Sequence, residues 1–335
     1  MCDLFGFFLY FLMLFSLHVS LSIKRMTLLF LSMLFAIIIA AFRGLSGVDS
    51  YMYVMRFEGA NNFEDISIIE PLIPLMMWIV KFFDGSFSTF SLLYGSVLIG
   101  LYMYIFKKIP NSIYFGLTAF PVIFIDSLFN GIRVGLAYPL IFLAVVYSSR
   151  VLFILGFFSH ISALISGVFK IIPFKIFVVI IIITIVYLYA SQITILELLS
   201  ERYTSKFVNY QEMYTKNIYS GIADSMLFFV SILIYLRTIG LKSKQFILTS
   251  TYAFIGVIIF HILFVSEYIF MLRIVRLLDI IMFALIAKST SKLDKRALYI
   301  ALIFGVLYSL NFLRQINSTC SYEIGGFLPL NFGLL

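Results

Sequence analysis

MTLLFLSMLFAIIIAAF, residues 26–42, contains no charged side chain, no proline and no glycine. A run that is apolar on every face leaves no wet side for a surface helix, and its length approaches the roughly 20 residues that cross a bilayer. Lys24 and Arg25 stand before it and Arg43 after it. Outward from this run the same texture repeats, near 4–23, 69–83, 87–106, 112–127, 132–148, 151–169, 174–191, 222–239, 246–264, 268–287 and 297–313. Lipid cannot satisfy a free backbone, so the runs are expected as helices. The fold class expected is all-α: a polytopic integral membrane protein of about 10–12 transmembrane helices, some of them re-entrant.

Composition agrees. The chain has 335 residues, 62% of them hydrophobic and 12% charged, with a mean hydropathy of +1.09. Soluble domains carry about 25% charge. The whole chain, 1–335, therefore reads as one integral domain, without internal repeats or soluble appendages. The net charge of +8 lies mostly in short connectors, which points to membrane topology and not to nucleic acid. Cys2 and Cys320 are the two cysteines, giving neither a disulfide framework nor metal-ligand spacing. The start of the chain lacks a basic n-region, so residues 4–23 read as a retained first span.

Basic connectors set the orientation. Lys24-Arg25, the Arg237–Lys244 connector and the Lys288–Arg296 connector should be cytoplasmic. The long polar connectors near 43–68 and 192–221 then fall outside. Simple alternation fails in the middle, where it would put Lys107-Lys108 outside. Two segments resolve this if they break or re-enter: 69–83, which carries Pro71 and Pro74, and 151–169, which carries His160. Both would border one cavity, where non-spanning backbone is tolerated. A single violation of the charge rule is the alternative.

Four constellations carry the chemistry. In the first outer connector, Arg43 is followed by Gly47-Val48-Asp49, Tyr53 and, later, Glu70-Pro71. The guanidinium is a fork suited to phosphate. Asn130 and Arg133 flank the start of the run 132–148 and can share a helix face. An arginine at a span is costly and marks a site, a pair or a snorkelling side chain. Gly156, His160, Ala163 and Gly167 fall on one helical stripe, which would aim His160 at the interior. Histidine moves protons near neutral pH, although a histidine bonded between helices is as plain a reading, and the better one for His18 and His261. Arg273, Arg276 and Asp279 are three apart and share a face. Asp279 could offset one guanidinium and a diphosphate the other, unless the group is purely structural. A metal-binding Asp-x-Asp, a phosphate loop, a zinc helix and a hydrolase elbow are all missing from the sequence.

In this order the constellations resemble the EpsG-like branch of the O-antigen and exopolysaccharide polymerases, the Wzy class. Arg43, Gly47-Val48-Asp49 and Tyr53 match the branch's first-loop motif, and Glu70-Pro71 its next element. Arg133-Val134-Gly135-Leu136-Ala137 matches an Arg-Gln-x-Leu-Ala motif with Val134 in place of Gln. His160-Ile161-Ser162-Ala163-Leu164 and the late pair Arg273 and Arg276 complete the set, over about residues 43–280.

The resemblance implies a GT-C-like membrane glycosyltransferase in the bacterial inner membrane. Its substrates would be undecaprenyl-diphosphate-linked oligosaccharide repeat units, with a chain-length regulator and a flippase as partners. His160, Asp49, Arg133, Arg273 and Arg276 would be catalytic, and Arg43, Tyr53, Glu70 and Asn130 would bind substrate. Arginines would stabilise the departing diphosphate, and His160 or Asp49 would handle the acceptor proton. No metal and no cofactor are expected. A lipid-linked oligosaccharide flippase, a glycan acyltransferase and a glycan ligase are the competing readings.

Overall fold

The computed structural model describes residues 4–23, 25–41, 50–60, 70–129, 131–160, 163, 221–264, 268–289 and 294–319. Every regular element among these residues is helical. The expected span 174–191, the later part of 151–169, and large parts of the connectors 43–68 and 192–221 lie outside them.

Two helices, α1 (Leu4–Ser22) and α2 (Met26–Ala41), form an antiparallel opening pair. The stretch expected as a plain outer connector holds a further helix, α3 (Ser50–Gly59). Its Phe57 packs edge-on against Phe87 and at a tilt against Phe90, at centroid distances of 5.9 and 6.1 Å. Sequence reading gave no span there because MRFEG is too polar to cross a membrane.

After Glu70-Pro71 comes α4 (Leu72–Phe82). Pro74 falls in its first turn, where the missing N–H has no helical partner to lose. The helix stops after three turns at Asp84, whose φ of 54° is left-handed. Ser86 then caps α5 (Phe87–Lys108) by accepting from the Thr89 N–H at 3.3 Å.

A 3-10 turn at Pro110–Ser112 leads into α6 (Ile113–Thr118) and α7 (Phe120–Phe129). The sequence expectation was one straight span over 112–127. Instead the path bends by 70° between Pro110–Thr118 and Phe120–Leu128. Pro121 supplies the reason: it has no N–H to offer the carbonyl of Leu117, four residues back, and its ring crowds it. That carbonyl lies against the bare Cα of Gly305, where a Cβ would come within 1.8 Å of it.

α8 (Ile132–Tyr147) and α9 (Arg150–Ser159) pack antiparallel through a turn at Ser148, φ 53°. α10 (Ile222–Thr238), α11 (Ser243–Phe264), α12 (Tyr268–Lys288) and α13 (Lys295–Thr319) close the bundle. Among the described residues, α5, α11 and α13 are long and apolar enough to cross a membrane unaided, and the bent α6–α7 pair makes a fourth crossing if counted as one. The protein is an all-helical membrane protein.

One end of the bundle is basic. The Lys288 ammonium donates to Ser148 Oγ at 2.9 Å, Asn111 Nδ2 to the Ser289 carbonyl at 2.7 Å, and the Asp294 N–H to the Tyr114 hydroxyl at 2.9 Å. The ends of α5, α8 and α12 and the starts of α9 and α13 therefore meet there. Lys107, Lys108, Arg150, Lys288, Lys295 and Arg296 are all exposed at this end. The start of α5 lies about 33 Å away along its axis. α4 stays near that far end: its Lys81 donates to the Glu58 carbonyl of α3 and sits over the Phe57 ring. α4 thus turns back without traversing the bundle.

Interhelical bonds hold two of the histidines. His18 Nε2 meets Ser309 Oγ at 2.6 Å, joining α1 to α13. His261 Nδ1 meets Ser225 Oγ at 2.9 Å, joining α11 to α10.

Candidate active site

Four chain segments converge away from the basic end. Glu70 stands just before α4, Arg133 in the first turn of α8, His160 just after α9 and Tyr53 on α3. Proline at 71 disfavours helical backbone at Glu70, which keeps the carboxylate outside α4. Gly131 opens α8, and its N–H bonds the Asp126 carbonyl at 3.0 Å, which ends α7 and sets the angle at which Arg133 emerges.

α9 ends at Ser159, inside the run that the connector charges required to break or re-enter. A helical stripe through Gly156, His160, Ala163 and Gly167 was expected. The helix instead stops at Ser159, and His160 is extended, with φ −156° and ψ 130°. Gly156 still serves close packing: a Cβ there would lie 3.2 Å from Ile141 Cγ1 of α8. The Ser159 hydroxyl then donates to the Arg133 carbonyl at 2.7 Å. This bond ties the end of α9 to the start of α8 and brings His160 beside Arg133.

The result is a shared carboxylate. Glu70 Oε2 accepts from Arg133 Nη1, and Glu70 Oε1 lies 3.7 Å from His160 Nε2. The Tyr53 hydroxyl stands beside the same guanidinium. Side-chain exposure is 24% for Arg133, 12% for Glu70 and 8% for His160, so the arginine is the most open of the three. Arg133 Nε is buried and has no hydrogen-bond partner among the described residues.

A second cluster lies deeper. Arg276 of α12 donates from Nη1 to Asp126 Oδ2 of α7 at 2.5 Å and from Nε to Asp224 Oδ1 of α10 at 3.0 Å. The Tyr308 hydroxyl of α13 donates to the same Asp224 oxygen at 2.6 Å. The sequence expectation paired Arg276 with Asp279 on its own helix and left a guanidinium for a diphosphate. The structure compensates Arg276 with two other aspartates. Residues three apart on one helix point the same way but need not meet, and the carboxylates facing Arg276 come from neighbouring helices. Asp279 is fully buried on α12, with Ser231 of α10 beside its carboxylate.

Sequence reasoning missed Asp126, Asp224 and Tyr308. The signal was present for the two aspartates: each is a lone carboxylate in an apolar run, which calls for a partner. Tyr308 gave none. The clusters share the α7–α8 turn, because Asp126 takes Arg276 with its side chain and caps Gly131 with its carbonyl.

The other expected site residues are not brought into view. Arg43, Asp49 and Asn130 lie outside the described residues, as do Cys2 and Cys320. Arg273 is described only as a backbone position on α12. Among the described residues, no group of three or more His, Cys, Asp or Glu is placed to hold a metal ion.

Chemically, the first cluster offers a forked cation, a carboxylate and an imidazole at one spot. Such a set can hold an oxyanion and move a proton. Comparison with known proteins found no match among curated proteins and none among solved structures. The model of the EpsG family matches residues 26–332, nearly the whole chain, and the protein belongs to that family.

Proposed function

We propose that this protein is a polysaccharide polymerase of the bacterial inner membrane. It transfers a growing glycan from its undecaprenyl-diphosphate carrier onto a new lipid-linked repeat unit at the outer face. The observation that carries this reading is the Arg133–Glu70–His160 cluster in an EpsG-family chain, at the end of the bundle opposite Lys107, Lys108, Arg150, Lys288, Lys295 and Arg296. The charge rule makes the basic end cytoplasmic, so the cluster faces outward.

The reaction suits these groups. As the glycosidic bond breaks, charge collects on the diphosphate. A fixed guanidinium in a site with little water stabilises that charge without reorganising. Arg133 is the donor best placed for it, being partly open and having Nε unused among the described residues. Arg273 and Arg43 remain candidates for the rest of the phosphate surface. Arg276, already held by two aspartates, fixes the α7–α8 turn behind Arg133. His160 or Asp49 handles the acceptor proton, while Tyr53 and Asn130 contact sugar or phosphate. The product is a lipid-linked polymer, for O-antigen lipopolysaccharide or exopolysaccharide, and released undecaprenyl diphosphate. A chain-length regulator and a flippase are the partners this role requires.

Deleting the gene in its host and running the surface polysaccharide on a gel tests the reading. The expected result is collapse of a ladder to a single repeat. An unchanged ladder would rule the polymerase out in favour of an acyltransferase, and loss of even the single repeat would indicate a flippase or ligase.

A further inference from the structure

We propose that Glu70 is the base that activates the acceptor hydroxyl, and that Arg133 restrains it until a lipid diphosphate displaces it. The inference rests on the transferase reading above and goes beyond the substrate-binding role that the family resemblance implies for Glu70.

Arg133 and His160 lie against different oxygens of Glu70. Oε2 is taken by Arg133 Nη1, and Oε1 faces His160 Nε2 at 3.7 Å, too far for a hydrogen bond but close enough for a proton to pass after a small movement. In the free protein, then, the guanidinium that should hold phosphate is occupied by a carboxylate of the chain itself. Carboxylate and phosphate compete for the same fork, since both accept two parallel N–H bonds in one plane. Phosphate brings more charge. Arg133 also keeps a buried Nε donor with no partner among the described residues, so an incoming anion gains a bond that Glu70 is not making.

Displacement changes what Glu70 can do. A carboxylate paired with a guanidinium holds a proton weakly, and losing the pair in a dry site makes it a stronger base. The arginine and histidine are kept in place meanwhile, because Ser159 Oγ clips the end of α9 to the Arg133 carbonyl. Release of Glu70 therefore leaves the frame around it intact.

The step balances. The acceptor sugar O–H gives its proton to Glu70. Its oxygen forms a bond to the anomeric carbon of the donor glycan. The bond from that carbon to the diphosphate oxygen breaks, and the electron pair leaves on the diphosphate, which Arg133 holds. The proton then passes from Glu70 to His160 and on to water. Donor binding arms the base, so an acceptor alone meets no activated group.

The test uses the full-length protein in lipid nanodiscs, with inorganic pyrophosphate as the probe for binding and a single-turnover assay for transfer. Glu70→Gln removes the competing charge at nearly constant shape. It should bind pyrophosphate about fivefold tighter or more, while transfer falls at least about 100-fold, the scale expected for losing a general base. If Glu70 only braces Arg133, the same variant binds pyrophosphate more weakly, and that result overturns the proposal; so does retained transfer. Should Glu70→Gln fail to fold, Glu70→Asp serves: its shorter carboxylate pairs less well with Arg133, so binding tightens as transfer drops, and unchanged values for both overturn the proposal. Arg133→Gln separates the two layers of the argument. Wild-type protein that ignores pyrophosphate, or an Arg133→Gln variant that binds it equally well, would remove the transferase reading itself. Arg133-dependent binding without tightening in Glu70→Gln removes only the role given to Glu70.

Discussion

Arg133 and Arg276 are the same side chain in different electrostatic company. Arg276 touches two carboxylates, has 11% side-chain exposure and links three helices. Removing it leaves Asp126 and Asp224 as buried charges without their cation. Breaking a buried pair in this way costs about 3–5 kcal/mol. Arg276→Met should therefore lower the unfolding midpoint in detergent strongly, and a melting curve superimposable on wild type would contradict the clamp. Arg133 meets one carboxylate among the described residues and is more open, so Arg133→Gln should cost well under half as much while stopping chain growth. Sequence alone flagged both arginines but gave them one shared role. The split was not legible there because Asp126 and Asp224 lie about 150 and 50 residues away in the chain, and helical spacing says nothing about which neighbouring helix supplies a partner.

The helices follow the apolar runs where hydrophobicity alone decides them, as in α2, α5 and α8. They depart where a local group decides. The break at Thr118–Phe120 belongs to Pro121, which sits inside a run that reads as one span by hydropathy. The end of α9 at Ser159 belongs to the Ser159–Arg133 bond, a contact no spacing rule anticipates. α4 was legible as irregular from its prolines and its length. At this scale the sharpest consequence concerns Gly305, whose missing Cβ leaves room for the Leu117 carbonyl freed by Pro121. Alanine there meets backbone, not a flexible side chain tip, so α13 must move away from α6. Gly305→Ala should destabilise by about 1–3 kcal/mol, in line with overpacking a tight interface. Gly100→Ala, where a Cβ would meet nothing within 4 Å in the interior of α5, is the control and should hold or slightly raise the melting midpoint, because alanine favours helix over glycine.

Across the whole molecule, the basic end and the site lie at opposite ends. Lys107, Lys108, Arg150, Lys288, Lys295 and Arg296 gather where α5, α8 and α12 end, while the Glu70–Arg133–His160 cluster lies toward the other end, where Arg56 of α3 is exposed. This polarity follows from α4 failing to cross, which returns Lys107 and Lys108 to the side that the connector charges require. Single cysteines in a background lacking Cys2 and Cys320 can check it: Asp84→Cys should react with an impermeant maleimide applied from outside, and Lys108→Cys only after the membrane is opened. Equal labelling of both from outside would contradict the topology. The central claim is that this outward-facing cluster transfers glycan between lipid carriers. It is tested most directly by purified protein in nanodiscs supplied with undecaprenyl-diphosphate-linked repeat units from its own host. Wild-type protein should yield a lipid-linked ladder and free undecaprenyl diphosphate, and Arg133→Gln, folded and inserted, should yield neither; a full ladder from that variant would contradict the account.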